Sequence, residues 1–498
     1  MCYYRCGYSE SHPGGTKMNQ LSAPAGALGK FRRTFIGDRT FYQTVMALLL
    51  PIIVQNTITN FVSLLDNVMV GQVGTAQMSG VAIANQLIFV FNLTLFGGAA
   101  GAGIFGAQFY GAGDQEGVRS TFRFKLWTSV TVLAGAVAIF LIYGDSLISL
   151  YLTGEGNAAE AAEMLQYGRT YLNIMLWGLP AFALSQSYSG TLRETGESVL
   201  PMKASLAAVL TNLCLNYILI FGKLGFPALG VAGAAVATVI SRYVELAIIV
   251  WYTHRHTGRF QFAAGLYRTM KVPRGLARTI FCKGMPLLVN ELLWSLGVTT
   301  MTQIFSTCGL NVVAGLNIAS SVINLFNVVF LSMGAAVAVL VGQSLGAGDM
   351  SRAKSDVWKL IFFGVCISIV MCVLLIAVSP FIPRIYNTTV EVRRLATHFM
   401  ITCAIYMAFN STSNCCYFAL RSGGKTFVTF LFDSAYSWCV CVPVAYAITH
   451  FTQLNIYAIY PISYFTDVIK SVIGVLVVRT GYWAQNIVAD ARSNNVSG

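Results

Sequence analysis

Gly106-Ala-Gln-Phe-Tyr-Gly-Ala-Gly-Asp114 and Val341-Gly-Gln-Ser-Leu-Gly-Ala-Gly-Asp349 are almost the same stretch, repeated 235 residues apart. The same offset places Pro51 on Pro286 and holds across three apolar segments of each half. The chain is therefore a duplicated unit. Because duplicated bundles of apolar helices usually enclose a binding site between two moving halves, the repeat indicates transport by alternating access.

The composition indicates an integral membrane protein. Of 498 residues, 56% are hydrophobic and only 10% are charged, and the mean hydropathy is +0.65. Long apolar runs such as 358–380 favour helices over the alternating strands of a membrane barrel. Runs of roughly 20 residues, long enough to cross the lipid, are centred near 55, 92, 138, 180, 210, 240, 293, 327, 370, 407, 438 and 467. The predicted fold is an all-α membrane protein with twelve transmembrane helices in two six-helix lobes related by the repeat.

The Lys and Arg residues predict the orientation of the chain in the membrane. If the first helix starts in the cytoplasm, 25 of the 32 fall on that side, 5 fall outside and 2 lie within helices. The positive-inside rule then places both termini in the cytoplasm of a multi-pass cell-membrane protein. Topology accounts for the net charge of +13, so we expect contacts with membrane lipids and no nucleic-acid partner.

Domain boundaries follow from these helices and loops. We predict a cytoplasmic N-terminal arm (1–40), an N-lobe (41–252), a basic cytoplasmic linker (253–277), a C-lobe (278–480) and a cytoplasmic tail (481–498). The arm lacks the apolar core of a signal peptide, so the first helix is expected to direct insertion.

The Gly-Ala-Gly-Asp loops have a purely structural interpretation. Gly113 and Gly348 can end a helix in the left-handed region, and Asp114 and Asp349 can cap the helix that follows. Capping explains the residue types, but not why the loop occurs once in each repeat, followed by basic residues.

Several short motifs together carry a family resemblance. They are Pro51 followed by Asp66 within Leu65-Asp-Asn-Val-Met-Val-Gly71, the two Gln-x-x-Gly-Ala-Gly-Asp loops, Leu192-Arg193 with Gly196, Leu420-Arg-Ser-Gly-Gly424, and Leu229-Gly-Val-Ala-Gly-Ala-Ala-Val-Ala-Thr238. Over residues 41 to about 480 this combination resembles the multidrug and toxic compound extrusion (MATE) family. The resemblance implies a transporter that uses a proton or sodium gradient, and no other cofactor, to export mostly cationic, amphipathic compounds.

Acidic residues inside the predicted helices are candidate site residues, because a carboxylate costs a few kcal/mol at the centre of a membrane. Arg242 and Glu245, like Asp467 and Lys470, lie one turn apart and are predicted to form structural ion pairs. The acids without a basic residue nearby in the sequence are Asp66, Glu291 and Asp433.

Asp66 is the predicted cation-coupling residue. Gln55, Thr59, Ser63 and Asp66 fall on one helical stripe that should face the protein interior or a water-filled cavity. The resemblance implies that this first-helix carboxylate binds the coupling ion, which makes Asp66 a possible sodium ligand. The stripe adds Gln55 and Thr59 as further candidate cation-coupling residues. Pro51 is the predicted hinge of the helix. The alternative is a hydrogen-bonded buried acid that only stabilises the lobe.

A substrate cavity is predicted around Glu291, Asn290, Trp294, Asp433 and Tyr436. Organic cations bind where aromatic faces and a carboxylate surround an apolar pocket. Many family members carry the acid of the seventh helix about one turn further along, where this chain has Trp294. For Asp433 the alternative is pairing with a basic loop residue near the headgroups.

The predicted function is secondary antiport by a chain that we expect to act as a monomer on small organic cations. The sequence has neither a Gly-x-x-x-x-Gly-Lys-Ser/Thr nor a His-Glu-x-x-His motif, which excludes those enzyme classes. A flippase for a lipid-linked saccharide is the main alternative, and its cavity would be strongly cationic. A passive channel would require symmetric polar rings, whereas Asp66 corresponds to Met301 in the second repeat.

Overall fold

The chain is helical along almost its whole described length. The computed structural model describes residues 27–152, 158–386 and 388–489, and those residues contain no strand. A helical segment covers each of the twelve predicted centres, which confirms the predicted fold class. The first half contains α1 (Ala27–Phe35), α2 (Arg39–Gly71), α3 (Thr75–Gly111), α4 (Gln115–Leu152), α5 (Ala158–Met175), α6 (Leu179–Glu194), α7 (Val199–Phe221) and α8 (Val231–Arg255).

The second half follows the same plan after a linker with two short 3-10 turns, Gln261–Ala263 and Leu266–Arg268. Two π-helical turns, Leu431–Ala435 and Ser437–Cys441, join α14 to α15 in one continuous segment. The helices are α9 (Arg274–Ser306), α10 (Leu310–Gly346), α11 (Met350–Val378), α12 (Ile382–Ile385), α13 (Val390–Ser422), α14 (Thr426–Phe430), α15 (Val442–Phe451) and α16 (Ile456–Thr480).

Not every membrane-crossing segment is apolar enough to be recognised by hydropathy. Within the described residues, 9 helices meet that test, and the α5–α6 pair, α9 and α13 do not. These three segments carry charged residues that are covered by neighbouring helices or line a cavity, such as Arg193, Glu291 and Arg421. Such residues are tolerated in the membrane where neighbouring helices cover them.

Two bundles form the molecule, and the first helix of each repeat crosses into the other bundle. Helices α2–α8 form the N-lobe and α9–α16 the C-lobe. Val45 and Leu49 of α2 belong to an apolar core formed mainly by C-lobe residues. Ile280 and Leu287 of α9 belong in turn to a core of the N-lobe. The hydrophobic effect therefore holds the lobes together through both first helices.

Helices α3 and α10 cross at the end of the bundle that carries the Gly-Ala-Gly-Asp loops and the linker, which we call the basic end. A Cβ atom added to Gly111 would lie 2.0 Å from the carbonyl oxygen of Gln343. A Cβ atom added to Gly346 would lie 1.8 Å from the carbonyl oxygen of Gln108. Glycine is thus required at both positions, and the two contacts are related by the repeat.

The glutamine side chains of the same motif tie the two lobes together. Gln343 donates through Nε2 to the carbonyl oxygen of Glu194 at 2.8 Å. Gln108 donates through Nε2 to the carbonyl oxygen of Ser422 at 2.9 Å. Each bond reaches a backbone carbonyl in the last turn of a helix of the opposite lobe. Such a carbonyl has no hydrogen-bond donor within its own helix.

The repeated loops have the predicted capping geometry. Asp114 accepts a hydrogen bond from the backbone N–H of Gly117, and Asp349 accepts one from that of Arg352, both at 2.9 Å. Gly113 adopts the left-handed region with φ +72°. The loops therefore end one helix and start the next.

The C-terminal segment packs against both lobes instead of leaving the protein as a free tail. Trp483 is buried in the C-lobe core, and Ile487 and Val488 are buried in the N-lobe core. The backbone N–H of Ile487 donates to Gln108 Oε1 at 3.0 Å, and Asn486 donates to the carbonyl oxygen of Gly346 at 3.3 Å. Residues 490–498 of the predicted tail and 1–26 of the predicted arm lie outside the described residues.

The linker is docked as well. Phe260 and Phe262 are buried in the N-lobe core. Arg119 donates to the carbonyl oxygen of Phe262 at 3.3 Å, and Arg123 donates to that of Leu266 at 3.1 Å. Its structural bounds also differ from the predicted 253–277, since the helices on either side extend a few residues further.

We expect Gly111→Ala and Gly346→Ala to open the basic end. A new methyl group must move away from a backbone oxygen by more than about 1 Å to reach van der Waals contact, and neither helix backbone can bend locally to allow this. Spin labels would be attached at Gln115→Cys and Met350→Cys in a background without the 12 native cysteines. Pulsed electron paramagnetic resonance should then measure a longer distance between the two labels in the alanine variants than in the parent.

Gly135→Ala is the matched control, because an added Cβ there meets no atom within 4 Å. This change should leave the label distance unaltered and slightly stabilise α4. If all three alanine variants gave the parental distance, the crossing would not hold the basic end closed.

Candidate functional site

A cavity of about 380 Å³ lies between the two lobes. Its wall is formed by residues of α3, α4 and α6 from the N-lobe and of α10 and α13 from the C-lobe. Most of the wall is apolar, with four aromatic side chains and several alanines. The aromatic residues are Phe89, Phe96, Phe182 and Phe418.

A buried ion pair forms part of the cavity wall. Lys125 Nζ donates to both carboxylate oxygens of Glu194 at 2.6 Å and to Thr191 Oγ1 at 2.9 Å. The Lys125 side chain is only 2% exposed, and that of Glu194 is 12% exposed. The three bonds use all three donors of the ammonium group, which compensates for its removal from water.

Two arginines at equivalent positions of the repeats also line the cavity. Arg193 donates through Nη2 to Gln55 Oε1 at 2.8 Å. Arg421 Nη1 lies 4.0 Å from Glu291 Oε1. The charged part of the wall thus consists of Lys125, Arg193, Glu194 and Arg421.

The four charged residues of the wall, Lys125, Arg193, Glu194 and Arg421, were not among the predicted site residues. Lys125 and Glu194 are 69 residues apart in the sequence, so no local spacing reveals their pairing. The two arginines could have been found from one sequence feature, the repetition of Leu192-Arg193 as Leu420-Arg421. It places one arginine near the end of the fourth helix of each repeat.

A separate group of polar side chains surrounds Asp66 in the half of the N-lobe away from the basic end. Asn216 Nδ2 donates to Asp66 Oδ1 at 2.5 Å and to Asn212 Oδ1 at 3.1 Å. Asn212 in turn donates to Thr238 Oγ1 at 3.2 Å, and Tyr171 bonds with Thr238. We call these five residues the Asp66 cluster.

Asp66 is half-buried and receives an amide hydrogen bond instead of an ion pair. No ion pair within 4 Å among the described residues includes Asp66, although Arg242 is near enough to act on it electrostatically. Arg242 instead pairs with Glu245 at 3.5 Å, as the sequence predicts. The Asp66 charge is thus only partly balanced.

The structure places Gln55 beside the cavity arginine Arg193 instead of beside Asp66. Gln55 is buried and accepts a hydrogen bond from Arg193, while the Thr59 hydroxyl donates to the carbonyl oxygen of Gln55 at 2.9 Å. Pro51, the predicted hinge, is buried inside α2. The predicted polar stripe of α2 therefore runs from the cavity wall, at Gln55, to the separate Asp66 cluster. The side chain of Ser63 lies outside the described residues.

In the C-lobe, Asp433 belongs to a buried polar network. Its carboxylate accepts hydrogen bonds from Lys470 Nζ at 2.7 Å and from Asn290 Nδ2 at 2.9 Å. Ser434 donates to Asn290 Oδ1 at 2.8 Å. Lys470 thus pairs across helices with Asp433, whereas the sequence predicted a pair with Asp467 on its own helix.

None of the five predicted cavity residues lines the cavity described above. Asn290 and Asp433 bond each other, and Glu291 lies 4.0 Å from Arg421 of the cavity wall. Trp294 is 44% exposed, and the Tyr436 hydroxyl donates to the carbonyl oxygen of Thr466 at 2.8 Å. The described residues contain no group of three or more His, Cys, Asp or Glu side chains arranged to hold a metal ion.

The two lobes, the cavity between them and the repeated glutamine–glycine crossing can be compared with known proteins. The MatE family model matches residues 51–218 and 286–447, one range in each repeat. The chain belongs to the MatE family. It is therefore a multi-pass membrane transporter, and not an enzyme, in agreement with the resemblance seen in the sequence.

Curated relatives cover nearly the whole chain. It is 28% identical over 457 residues to the probable multidrug resistance protein NorM of Thermotoga maritima, covering 89% of this chain and 93% of that protein. It is 25% identical over 427 residues to the probable multidrug resistance protein YoeA of Bacillus subtilis, covering 84% of this chain and 89% of that protein.

Solved structures confirm the MatE fold. A MATE transporter in complex with MaL6 has a TM-score of 0.79 at 19% identity and covers 90% of this chain and 97% of its own. An outward-facing multidrug resistance MATE transporter has a TM-score of 0.79 at 20% identity, covering 89% and 96%.

We expect Lys125→Met to destabilise this transporter strongly. Removing one partner of a buried pair leaves the other charge uncompensated, which costs about 3 to 5 kcal/mol. The midpoint of heat unfolding in detergent, followed by tryptophan fluorescence, should fall by several degrees. The double variant Lys125→Met/Glu194→Gln should recover most of the loss.

Arg169→Met is the matched control. Arg169 pairs with Asp145 at 3.2 Å, but both side chains are more than half exposed. Breaking that pair should cost less than about 1 kcal/mol. Equal midpoints for Lys125→Met and Arg169→Met would show that the cavity pair contributes no more than a surface pair.

Proposed function

We propose that this transporter exports amphipathic organic compounds, mostly cationic, in exchange for protons or sodium ions by alternating access. Three observations support multidrug export. The cavity lies between two lobes related by a repeat, its wall is mainly apolar and aromatic, and the relatives named above are multidrug resistance proteins. Such a cavity binds varied apolar molecules through burial of surface and stacking.

The observation that carries the coupling proposal is the unbalanced Asp66 cluster. Asn216 Oδ1 is a buried acceptor with no donor among the described residues. It belongs to the amide whose nitrogen donates to Asp66. A sodium ion takes oxygen ligands of this kind, and a proton on the carboxylate would supply a donor. Asp66, Asn212 and Asn216 would hold the ion.

Helix α2 connects this cluster to the opposite lobe. Its other end packs in the C-lobe core through Val45 and Leu49, and Asn56 donates to Ser332 Oγ of α10 at 3.2 Å. Pro51 lies within α2 and leaves one carbonyl without its helical partner, so it is the proposed hinge. Ion binding at Asp66 would then change how α2 meets the C-lobe.

The basic end is proposed to face the cytoplasm of a cell-membrane protein, with both termini on that side, because the positive-inside rule places it there. The contacts of Gly111 and Gly346 close this end, so the present arrangement would prevent entry from the cytoplasm. Entry of cargo then requires the lobes to separate at the crossing. We propose that a single chain performs this cycle.

A flippase for a lipid-linked saccharide is a second candidate, supported by one observation. Lys125, Arg193 and Arg421 line the cavity beside a single carboxylate, that of Glu194. A diphosphate would find cationic partners there. Against this, Glu194 and Thr191 already occupy all three donors of Lys125. Movement of a polyprenyl diphosphate sugar across vesicles, with no effect on dyes, would favour this candidate.

We expect Asp66→Asn to abolish the ion dependence of export. The amide keeps the shape of the carboxylate but can neither take up a proton nor balance a sodium ion. Ethidium efflux from proteoliposomes, driven separately by a proton gradient and a sodium gradient, should lose its response to the gradient that drives the parent. The same experiment decides which ion is coupled.

Asp145→Asn is the matched control, because this exposed acid lies on α4 and pairs with the exposed Arg169. It should transport as the parent does. Parental rates with unchanged ion dependence in Asp66→Asn would show that coupling occurs at another residue.

A further inference from the structure

The cavity wall has an excess of positive charge. Lys125, Arg193 and Arg421 line it, and Glu194 is the one carboxylate among its lining residues. Since Lys125 and Glu194 neutralise each other through two short hydrogen bonds, the remaining positive charge belongs to Arg193 and to Arg421, whose charge Glu291 balances in part. Glu291 is 4.0 Å from Arg421, but it does not line the cavity.

Both arginines have donors that the protein does not use. Arg193 Nε and Arg421 Nη1 are buried N–H groups without a hydrogen-bond acceptor among the described residues. Arg421 is only 8% exposed. A buried donor left without an acceptor is costly, and a guanidinium group presents its donors in a fork that matches a carboxylate.

The arginines also occupy equivalent places in the two lobes. Each follows a leucine near the end of the fourth helix of its repeat, Leu192 in one and Leu420 in the other. The cavity therefore receives one cationic side chain from each lobe. A ligand that contacts both would be held between parts of the protein that move relative to each other.

We propose that the cargo presents an acidic group of the carboxylate class to Arg193 and Arg421, while Phe89, Phe96, Phe182 and Phe418 hold its apolar part. This inference rests on the proposed function, because it takes the cavity as the cargo site. Aromatic faces also accept a cationic group, so a cargo that carries both a positive ring system and a carboxylate fits. Neutralisation of Glu194 by Lys125 removes the repulsion that an acidic group would otherwise meet.

A matched pair of dyes tests the proposal. One is a rhodamine with a free benzoic acid, and the other is the methyl ester of the same dye; both keep the cationic ring system. With the driving gradient imposed on proteoliposomes, the parent should export the acid with the lower KM. Arg421→Gln should raise the KM for the acid about tenfold, the scale of one charge-assisted hydrogen bond, and change that for the ester less than twofold.

Further variants keep the test independent of folding. Arg421→Lys retains the charge and should retain part of the preference for the acid. Arg193→Gln removes the equivalent arginine and leaves Glu291 with its partner Arg421. This variant should also weaken the preference for the acid. Arg268→Gln removes an exposed arginine of the linker and should change neither KM.

The outcomes separate this inference from the proposed function. Export of both dyes with equal KM, or an equal effect of Arg421→Gln on both, overturns the acid-binding role while leaving export intact. If neither dye moves in response to a proton or sodium gradient, the proposed function itself fails. A preference for the acid that disappears in both Arg421→Gln and Arg193→Gln supports the inference.

Discussion

The close crossing of α3 and α10 is the constraint on which the contacts between the lobes depend. Glycine at 111 and 346 lets each helix reach a backbone carbonyl of the other, closer than any side chain would allow. The carbonyls belong to Gln108 and Gln343, whose side chains bond the ends of α13 and α6 in the opposite lobe. One crossing therefore fixes four helices. The cavity begins directly beside this crossing, because Ala107, the residue before Gln108, belongs to the cavity wall.

The partners of the buried acids differ between the basic end of the bundle and the half of the N-lobe around Asp66. Toward the basic end two buried acids are paired with lysines, Glu194 with Lys125 and Asp433 with Lys470. A pair of this kind avoids an isolated charge in a medium of low dielectric constant, and its net charge does not change. Asp66 differs because its hydrogen-bond donor is a neutral amide. A group whose charge is only partly balanced can gain an ion at little cost, so the half of the N-lobe around Asp66 is suited to coupling.

Most of the fold could be predicted from the sequence, and the reason is physical. Backbone groups in lipid must be satisfied within each segment, so a long apolar run has to be a helix, and the repeat sets the register of the two lobes. The Arg242–Glu245 pair was also predictable, since both residues lie on one turn. The partners of Lys470 and Lys125 were not, because each bonds an acid on a different helix. Sequence spacing describes one helix at a time, whereas a cavity wall depends on how several helices pack.

The two repeats agree and differ in ways that match separate tasks. Both supply the crossing glycine, the bridging glutamine and one cavity arginine, so the close crossing and the arginines of the cavity wall come from both lobes. Asp66 has no acidic counterpart, since Met301 occupies its place. Among the described residues of the C-terminal segment, Gln485 and Ile487 bond Gln108, one of the two motif glutamines. Exchange requires that ion and cargo stabilise different arrangements. An ion site in one lobe and a cargo site shared by both satisfy that requirement, because ion binding then acts on one side of the cavity while cargo contacts both.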